Sequence, residues 1–156
     1  MARVKKKMIE EVVLSNVTLP CQANPIGLVH GAELIKMMDH TAGTVAVRYA
    51  HHFLVTARID EAQFLAPVHI GDVVSCRGRL TFVGNTSLEV EVKTYKEQFP
   101  DGAVSLVALA YFTMVCSENG KSVQIPELVL ETAEEKRIFE DGRHRQERYR
   151  KARQQS

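Results

Sequence analysis

Cysteine is scarce in this chain: Cys21, Cys76 and Cys116 are the only three. They are odd in number, far apart and form no CxxC pair. That excludes a disulfide framework and a structural zinc site, and it points to a reducing compartment, so the expected location is the cytoplasm. No apolar run approaches the ~18 residues of a membrane span, so no stable membrane insertion is expected. The basic opening (Arg3, Lys5, Lys6, Lys7) runs into Glu10, Glu11 and Asn16 instead of an apolar core, which argues against a secretory signal. There is no HExxH motif, no P-loop and no GxGxxG, so neither a metal nor a redox cofactor is implied. The net charge of +1 selects no partner.

What is present suits one soluble domain. The chain has 156 residues, 45% of them hydrophobic and 25% charged, enough to bury a core without disulfide staples. The globular part is expected to span 1–130. Residues 131–156 form a charged helix or tail, in which Arg143 to Arg153 carries six Lys/Arg against Glu147 alone. Met8 to Val17 reads as a first strand weakened by Glu10 and Glu11. Pro20, Pro25 and Gly27 break the following stretch into a loop.

Gly31 to about Ala50 has a helical period. Glu33, Lys36, His40, Thr44 and Arg48 form one polar stripe, into which Met37 intrudes. Leu34, Ile35, Met38, Ala42 and Val45 form a wide apolar face. Gly43 costs helix propensity there and suits a closely packed neighbour. The period then changes to two. Val55, Ala57 and Ile59 alternate with Thr56, Arg58 and Asp60. Val74 to Phe82 and Leu88 to Val92 alternate in the same way, and each reads as a half-buried strand. Val104 to Cys116 is apolar almost throughout, as a strand covered on both faces would be. Gly71-Asp72, Gly84-Asn85 and Pro100-Asp101-Gly102 are the turns. One helix with that much apolar surface needs a sheet around it. The expected class is α+β: a long central helix wrapped by a curved, mostly antiparallel sheet of five or six strands.

The run Ala23 to Asp39 carries the chemistry. A turn with Gly27 delivers the chain into the helix at Gly31, where free backbone N–H groups and the positive helix end can hold an oxyanion. That feature alone is an ordinary helix start. Asp39 adds more, because it lies at the border of the apolar face. A carboxylate there is either paired, with Lys36 or Arg48 in reach, or functional. Gly31 and Asp39 are eight residues apart, about 12 Å along the axis. One helix cannot bring both to one reacting carbonyl, so joint action requires two chains and a two-fold dimer.

The run Asn24-Pro25, Gly27, Val29-His30-Gly31-Ala32, Leu34, Lys36 and Met38-Asp39 resembles the acyl-CoA hydrolase branch of the hot-dog thioesterases. Val55-Thr56-Ala57, Ile59-Asp60 and Phe64 continue the likeness, followed by Pro67-Val68, Gly71-Asp72 and Val83 to Val90. Together they cover roughly residues 15–117. The resemblance implies a hot-dog fold and hydrolysis of acyl-CoA to a free acid and CoA. Asp39 is then the base or nucleophile. Asn24 orients water or thioester from the opposing subunit, and the Gly31 N–H polarises the thioester carbonyl. His30, Ala32 and Phe64 are implied at the thioester, and the turn Gly84, Asn85, Thr86 and Ser87 at CoA. The family's second glycine after His30 is Ala32 here, whose methyl narrows the approach. The implied partner is the chain itself, as a homodimer and a trimer of dimers, without nucleic acid.

Other readings rest on single features. Cys21 lies near His30, so a Cys–His nucleophile is conceivable, but proximity is its sole support and a small apolar filler is the preferred reading. Arg58, Arg77, Arg79 and the basic tail could meet CoA phosphates or remain solvated. A non-catalytic acyl-CoA sensor on the same fold would need neither Asn24 nor Asp39. A DNA reader would need a helix-turn-helix segment, and none is seen. A dehydratase would carry a His-Phe-Pro-type loop where His30-Gly31 stands.

Overall fold

The computed structural model describes residues 2–156. In chain order the elements are β1 (Lys5–Lys7), β2 (Val12–Val17), α1 (Gly31–Ala50), β3 (Leu54–Phe64), β4 (Val73–Val83), β5 (Ser87–Gln98), β6 (Ala103–Glu118), β7 (Lys121–Ser122), β8 (Glu127–Val129) and α2 (Ala133–Gln154). The main sheet has six strands. It runs β2-β4-β5-β6-β3 with β7 appended to β6, every pair antiparallel. β1 and β8 make a small parallel pair beside it. No helix among the described residues is long and apolar enough to cross a membrane.

Helix α1 is gripped by the concave face of this sheet. Its buried side is Leu34, Met37, Met38, Thr41, Ala42, Val45, Ala46, Tyr49 and Ala50. Met37 therefore belongs to the core and not to the polar stripe. Thr41 joins it because its hydroxyl donates to the Met37 carbonyl at 3.0 Å, which satisfies the buried group locally. Val74, Cys76, Leu80, Leu88, Val90, Val92, Phe112 and Met114 complete the core from the strands. The Lys6 ammonium donates to the carbonyls of Arg48 and Tyr49 at 2.9 and 2.7 Å, closing the C-terminal end of α1.

Three features depart from the reading of the sequence. On β3 the apolar alternate faces outward: Val55 is 63% exposed and Ile59 39%, while Thr56, Arg58 and Asp60 are half-buried. A strand at the sheet edge with an uncovered apolar face invites another surface. Gly43 has open space where a side chain would start, so no neighbour within this protomer packs close there. The polar tail folds back as α2 onto the convex face. A β-carbon on Gly142 would sit 2.8 Å from the Thr81 carbonyl oxygen, so glycine is what lets the helix lie flat.

Beneath α2 the strands bury charge. Arg145 donates to Glu89 Oε1 at 2.7 Å, and Gln146 donates to Glu89 Oε2 at 2.9 Å. Thr81 also donates to Glu89 Oε1, at 2.7 Å. Arg79 pairs with Glu91 at 2.8 Å, and the Tyr111 hydroxyl donates to the same carboxylate at 3.1 Å. Burial and the neighbouring Glu91 push the Tyr111 hydroxyl up to about 12, so it stays a donor.

Candidate active site

The loop before α1 is tied down by Asn24. Its Oδ1 accepts from the Ile26 and Leu28 N–H groups at 3.1 and 3.0 Å, and its own N–H donates to the Leu28 carbonyl at 2.7 Å. Two backbone donors converge on one side-chain atom, so that atom must be the amide oxygen. The Asn24 NH2 group is thereby left to donate elsewhere. His30 follows as the N-cap of α1: its Nδ1 accepts from the Ala32 N–H at 3.2 Å. The Gly31 N–H, on the first residue of the helix, is one of the donors that a helix leaves unused at its start.

Asn24 and Gly31 line one cleft of about 370 Å³, together with Leu28, Leu34 and the segment Phe64 to Val68. The Phe64 ring lies over Gly31, where a β-carbon would meet it at 3.4 Å. A small residue is what keeps the helix start open to a ligand. Ala32 is exposed and His30 turns its ring onto the helix, so neither lines this cleft.

Asp39 is elsewhere. It lies half-buried in a groove of about 760 Å³ with His40, Gly43, Thr44, Val47, Phe53, Val55, Thr56 and Met114. Its partner is not Lys36 or Arg48. Thr56 donates a hydroxyl hydrogen bond to Asp39 Oδ1, and Met114 Sδ lies 3.3 Å from the same hydroxyl. Thr56 stood in the family-like run Val55-Thr56-Ala57 without being singled out, because only the docking of α1 on β3 brings it to Asp39. The groove and the cleft share no residue: Asn24 and Gly31 open into one, Asp39 and Thr56 into the other.

The turn Gly84 to Ser87 joins β4 to β5 and forms a third concavity of about 480 Å³. The turn is closed by the Gly84 N–H donating to the Ser87 carbonyl at 2.8 Å. Among the described residues no three His, Cys, Asp or Glu side chains come together as metal ligands. Of the remaining sequence candidates, Arg143 and Arg150 of the basic tail line this third concavity, and the others fall away from all three. Cys21 is exposed and does not line the Asn24 cleft, and Arg58 and Arg79 are spent on Asp60 and Glu91.

Residues 26–101 match the family described as the thioesterase superfamily. The chain is 39% identical over 122 residues to the cytosolic acyl coenzyme A thioester hydrolase of Homo sapiens, covering 76% of this chain and 32% of that one. It thus spans about a third of that relative's length. It is 35% identical over 126 residues to the uncharacterized acyl-CoA thioester hydrolase YkhA of Bacillus subtilis, covering 80% and 73% of the two chains. Among solved structures, the Staphylococcus aureus acyl-CoA hydrolase in complex with butyryl coenzyme A superposes with a TM-score of 0.83 at 29% identity, over 96% of this chain and 92% of that one. A hexameric acyl-CoA thioesterase superposes with a TM-score of 0.83 at 29% identity, over 91% and 92%. Solved variants of the Staphylococcus aureus hydrolase replace an asparagine, an aspartate and a threonine by alanine. Those three are spaced along that chain as Asn24, Asp39 and Thr56 are along this one.

Proposed function

Because this chain belongs to the acyl-CoA thioester hydrolase family of the hot-dog thioesterases, we propose that it hydrolyses acyl-CoA to a carboxylic acid and free CoA at sites completed by two protomers. The observation that carries this reading is the separation of the two half-sites. Asn24 and Gly31 open into one cleft, Asp39 and Thr56 into another. Each half alone lacks the other's chemistry, and a two-fold dimer supplies both twice. The second protomer is assigned to the free edge of β3, where Phe53 is 88% exposed and Val55 projects outward. The hexameric relatives accord with such a dimer as the building block.

In this reading the Asn24 NH2 and the Gly31 N–H of one protomer face the thioester. Asp39 of the other has one oxygen held by Thr56 and the second free to take a proton from water. The water oxygen attacks the thioester carbon, and its proton passes to Asp39. The tetrahedral oxyanion is stabilised by the Gly31 N–H and the positive end of α1. The C–S bond then breaks, and the CoA thiolate recovers the proton from Asp39. No residue is left modified, and the balance is water plus thioester to acid plus thiol. The turn Gly84 to Ser87 receives part of the CoA, and Phe64 walls the cleft beside the thioester.

A mixing experiment tests the shared site. Asn24→Ala and Asp39→Ala chains are each expected to be inactive in thiol release from acyl-CoA. Unfolded together and reassembled, they should recover about a quarter of wild-type activity, because half of the random dimers carry one intact site of two. No recovery from a mixture that reforms the native oligomer would place both groups in the same chain's site. Tight acyl-CoA binding by the wild type without thiol release would make the protein an acyl-CoA sensor and not a hydrolase.

A further inference from the structure

Among the described residues the buried charged side chains are Asp72, Glu89, Glu91 and Lys96. Each acid accepts from groups beside it. Glu89 meets Arg145 at 2.7 Å, Glu91 meets Arg79 at 2.8 Å, and Asp72 accepts from the His69 N–H at 2.9 Å. Lys96 has no such counterpart. It is 8% exposed, and its ammonium makes one hydrogen bond, to the Pro67 carbonyl at 2.7 Å. A lysine so enclosed without a carboxylate costs more than a methionine of similar length would. That cost singles out the contact with Pro67.

Lys96 follows Val90, Val92 and Thr94 along one face of β5, and all three are 0% exposed. Val74 of β4 and Ser105 of β6 flank it. Its stem therefore rises from the middle strand of the sheet and reaches the irregular segment after β3. That segment, Phe64 to Val68, walls the cleft of Asn24 and Gly31. The wall is tied on either side of its centre. The Leu65 N–H donates to the Val107 carbonyl at 2.7 Å, and the Val68 carbonyl accepts from the Val29 N–H at 2.8 Å. Between them, Ala66 and Pro67 make no backbone–backbone hydrogen bond among the described residues, and proline has no N–H to give. Lys96 supplies the tie in the middle. Pro67 itself is exposed, so water can serve its carbonyl and the lysine rescues no buried group. What the lysine adds is a fixed distance between the wall and the sheet.

We propose that Lys96 is a positioning residue for the reaction: its ammonium holds the Pro67 carbonyl and so sets where the wall stands against Asn24 and Gly31. This rests on the hydrolase reading above. The Phe64 ring, at one end of the wall, lies where a β-carbon on Gly31 would meet it at 3.4 Å. A thioester polarised by the Gly31 N–H must fit between the helix start and this wall. Misplacement of a reacting group by about 1 Å costs up to about a hundredfold in rate. A charged donor makes the tie stronger than a neutral one. Lys96 acts through the backbone it holds and lines neither cavity of the proposed site.

Kinetics on one acyl-CoA and hydrogen exchange of the wall test this together. In Lys96→Met, kcat should fall about tenfold while KM stays within about threefold. Amides of residues 64–69 should exchange about tenfold faster by mass spectrometry, with those of β4 and β5 unchanged. Lys96→Gln, neutral but polar, carries the same expectations should Lys96→Met not fold. Lys96→Arg keeps a charged donor and should return kcat to within about threefold of wild type. Lys93→Met removes an equal charge from the other face of β5 and should keep kcat within about twofold. An unchanged kcat or an unchanged wall in Lys96→Met overturns the proposal. So does a Lys96→Arg enzyme as slow as Lys96→Met, which would show a packing effect, or an equal loss in Lys93→Met. If the wild type releases no thiol, the hydrolase reading fails, and hydrogen exchange still decides the tie: equal exchange of 64–69 in wild type and Lys96→Met would sink it.

Discussion

Asp39 keeps one oxygen on the Thr56 hydroxyl, so the two side chains should fail differently when changed. Asp39→Asn keeps the shape and removes the carboxylate that the proposed mechanism uses as base, and kcat should fall by roughly a hundredfold or more. Thr56→Ala leaves the carboxylate in place but unaimed. Its kcat should fall about tenfold at nearly constant KM, and Thr56→Ser should restore most of it. Steady-state kinetics on one acyl-CoA with all three variants checks both, and a Thr56→Ala enzyme at wild-type kcat would remove Thr56 from the mechanism. The thiols offer a second residue-scale test. Burial raises the Cys76 and Cys116 thiols above the ordinary range, whereas Cys21 is exposed. Native protein treated with iodoacetamide should therefore keep Cys76 and Cys116 unmodified by mass spectrometry until it is unfolded.

At the scale of elements, α2 is the part whose role its polarity hides. It is charged along its length, yet Gly142 lets its backbone touch Thr81 and Phe82, and Arg145 reaches a Glu89 that is wholly buried. Gly142→Ala has no room for its methyl and should cost about 1–3 kcal/mol as the helix lifts. Arg145→Ala strands the Glu89 charge and should cost about 3 kcal/mol or more. Urea unfolding followed by circular dichroism reads both. A loss below about 0.5 kcal/mol in each would mean that α2 contributes little to the folded state. The helix also straps the convex face toward the β3 edge, since Arg58 lies 4.3 Å from the Tyr149 ring centroid. Burial pushes the Tyr149 hydroxyl well above its ordinary range, so that contact is made with a neutral phenol.

At the scale of the whole molecule, the proposed shared site depends on one edge of the sheet. Among the described residues β3 has no partner on one side, Val55 and Ile59 face outward from it, and the groove beside it holds Asp39 and Thr56, which the proposed mechanism uses. Val55→Lys puts a charge on that face while leaving the core alone. Sedimentation should show a smaller species with native circular dichroism, and thiol release should fall with the oligomer. A fully active monomer would overturn the shared site.

The sequence by itself determined helix α1 at Gly31–Ala50, the alternating strands and the run from Asn24 to Asp39, because each is a local pattern of period or turn chemistry. It also required that Gly31 and Asp39 act from different chains if they act together, since helix rise alone separates them. It misled on β3, where alternation told the two faces apart without telling which one the core would take. Thr56 at Asp39, the docking of α2 and the contact of Lys96 with Pro67 were decided only by tertiary structure. Each joins segments far apart in the chain, and no local periodicity records which distant surface a segment will meet.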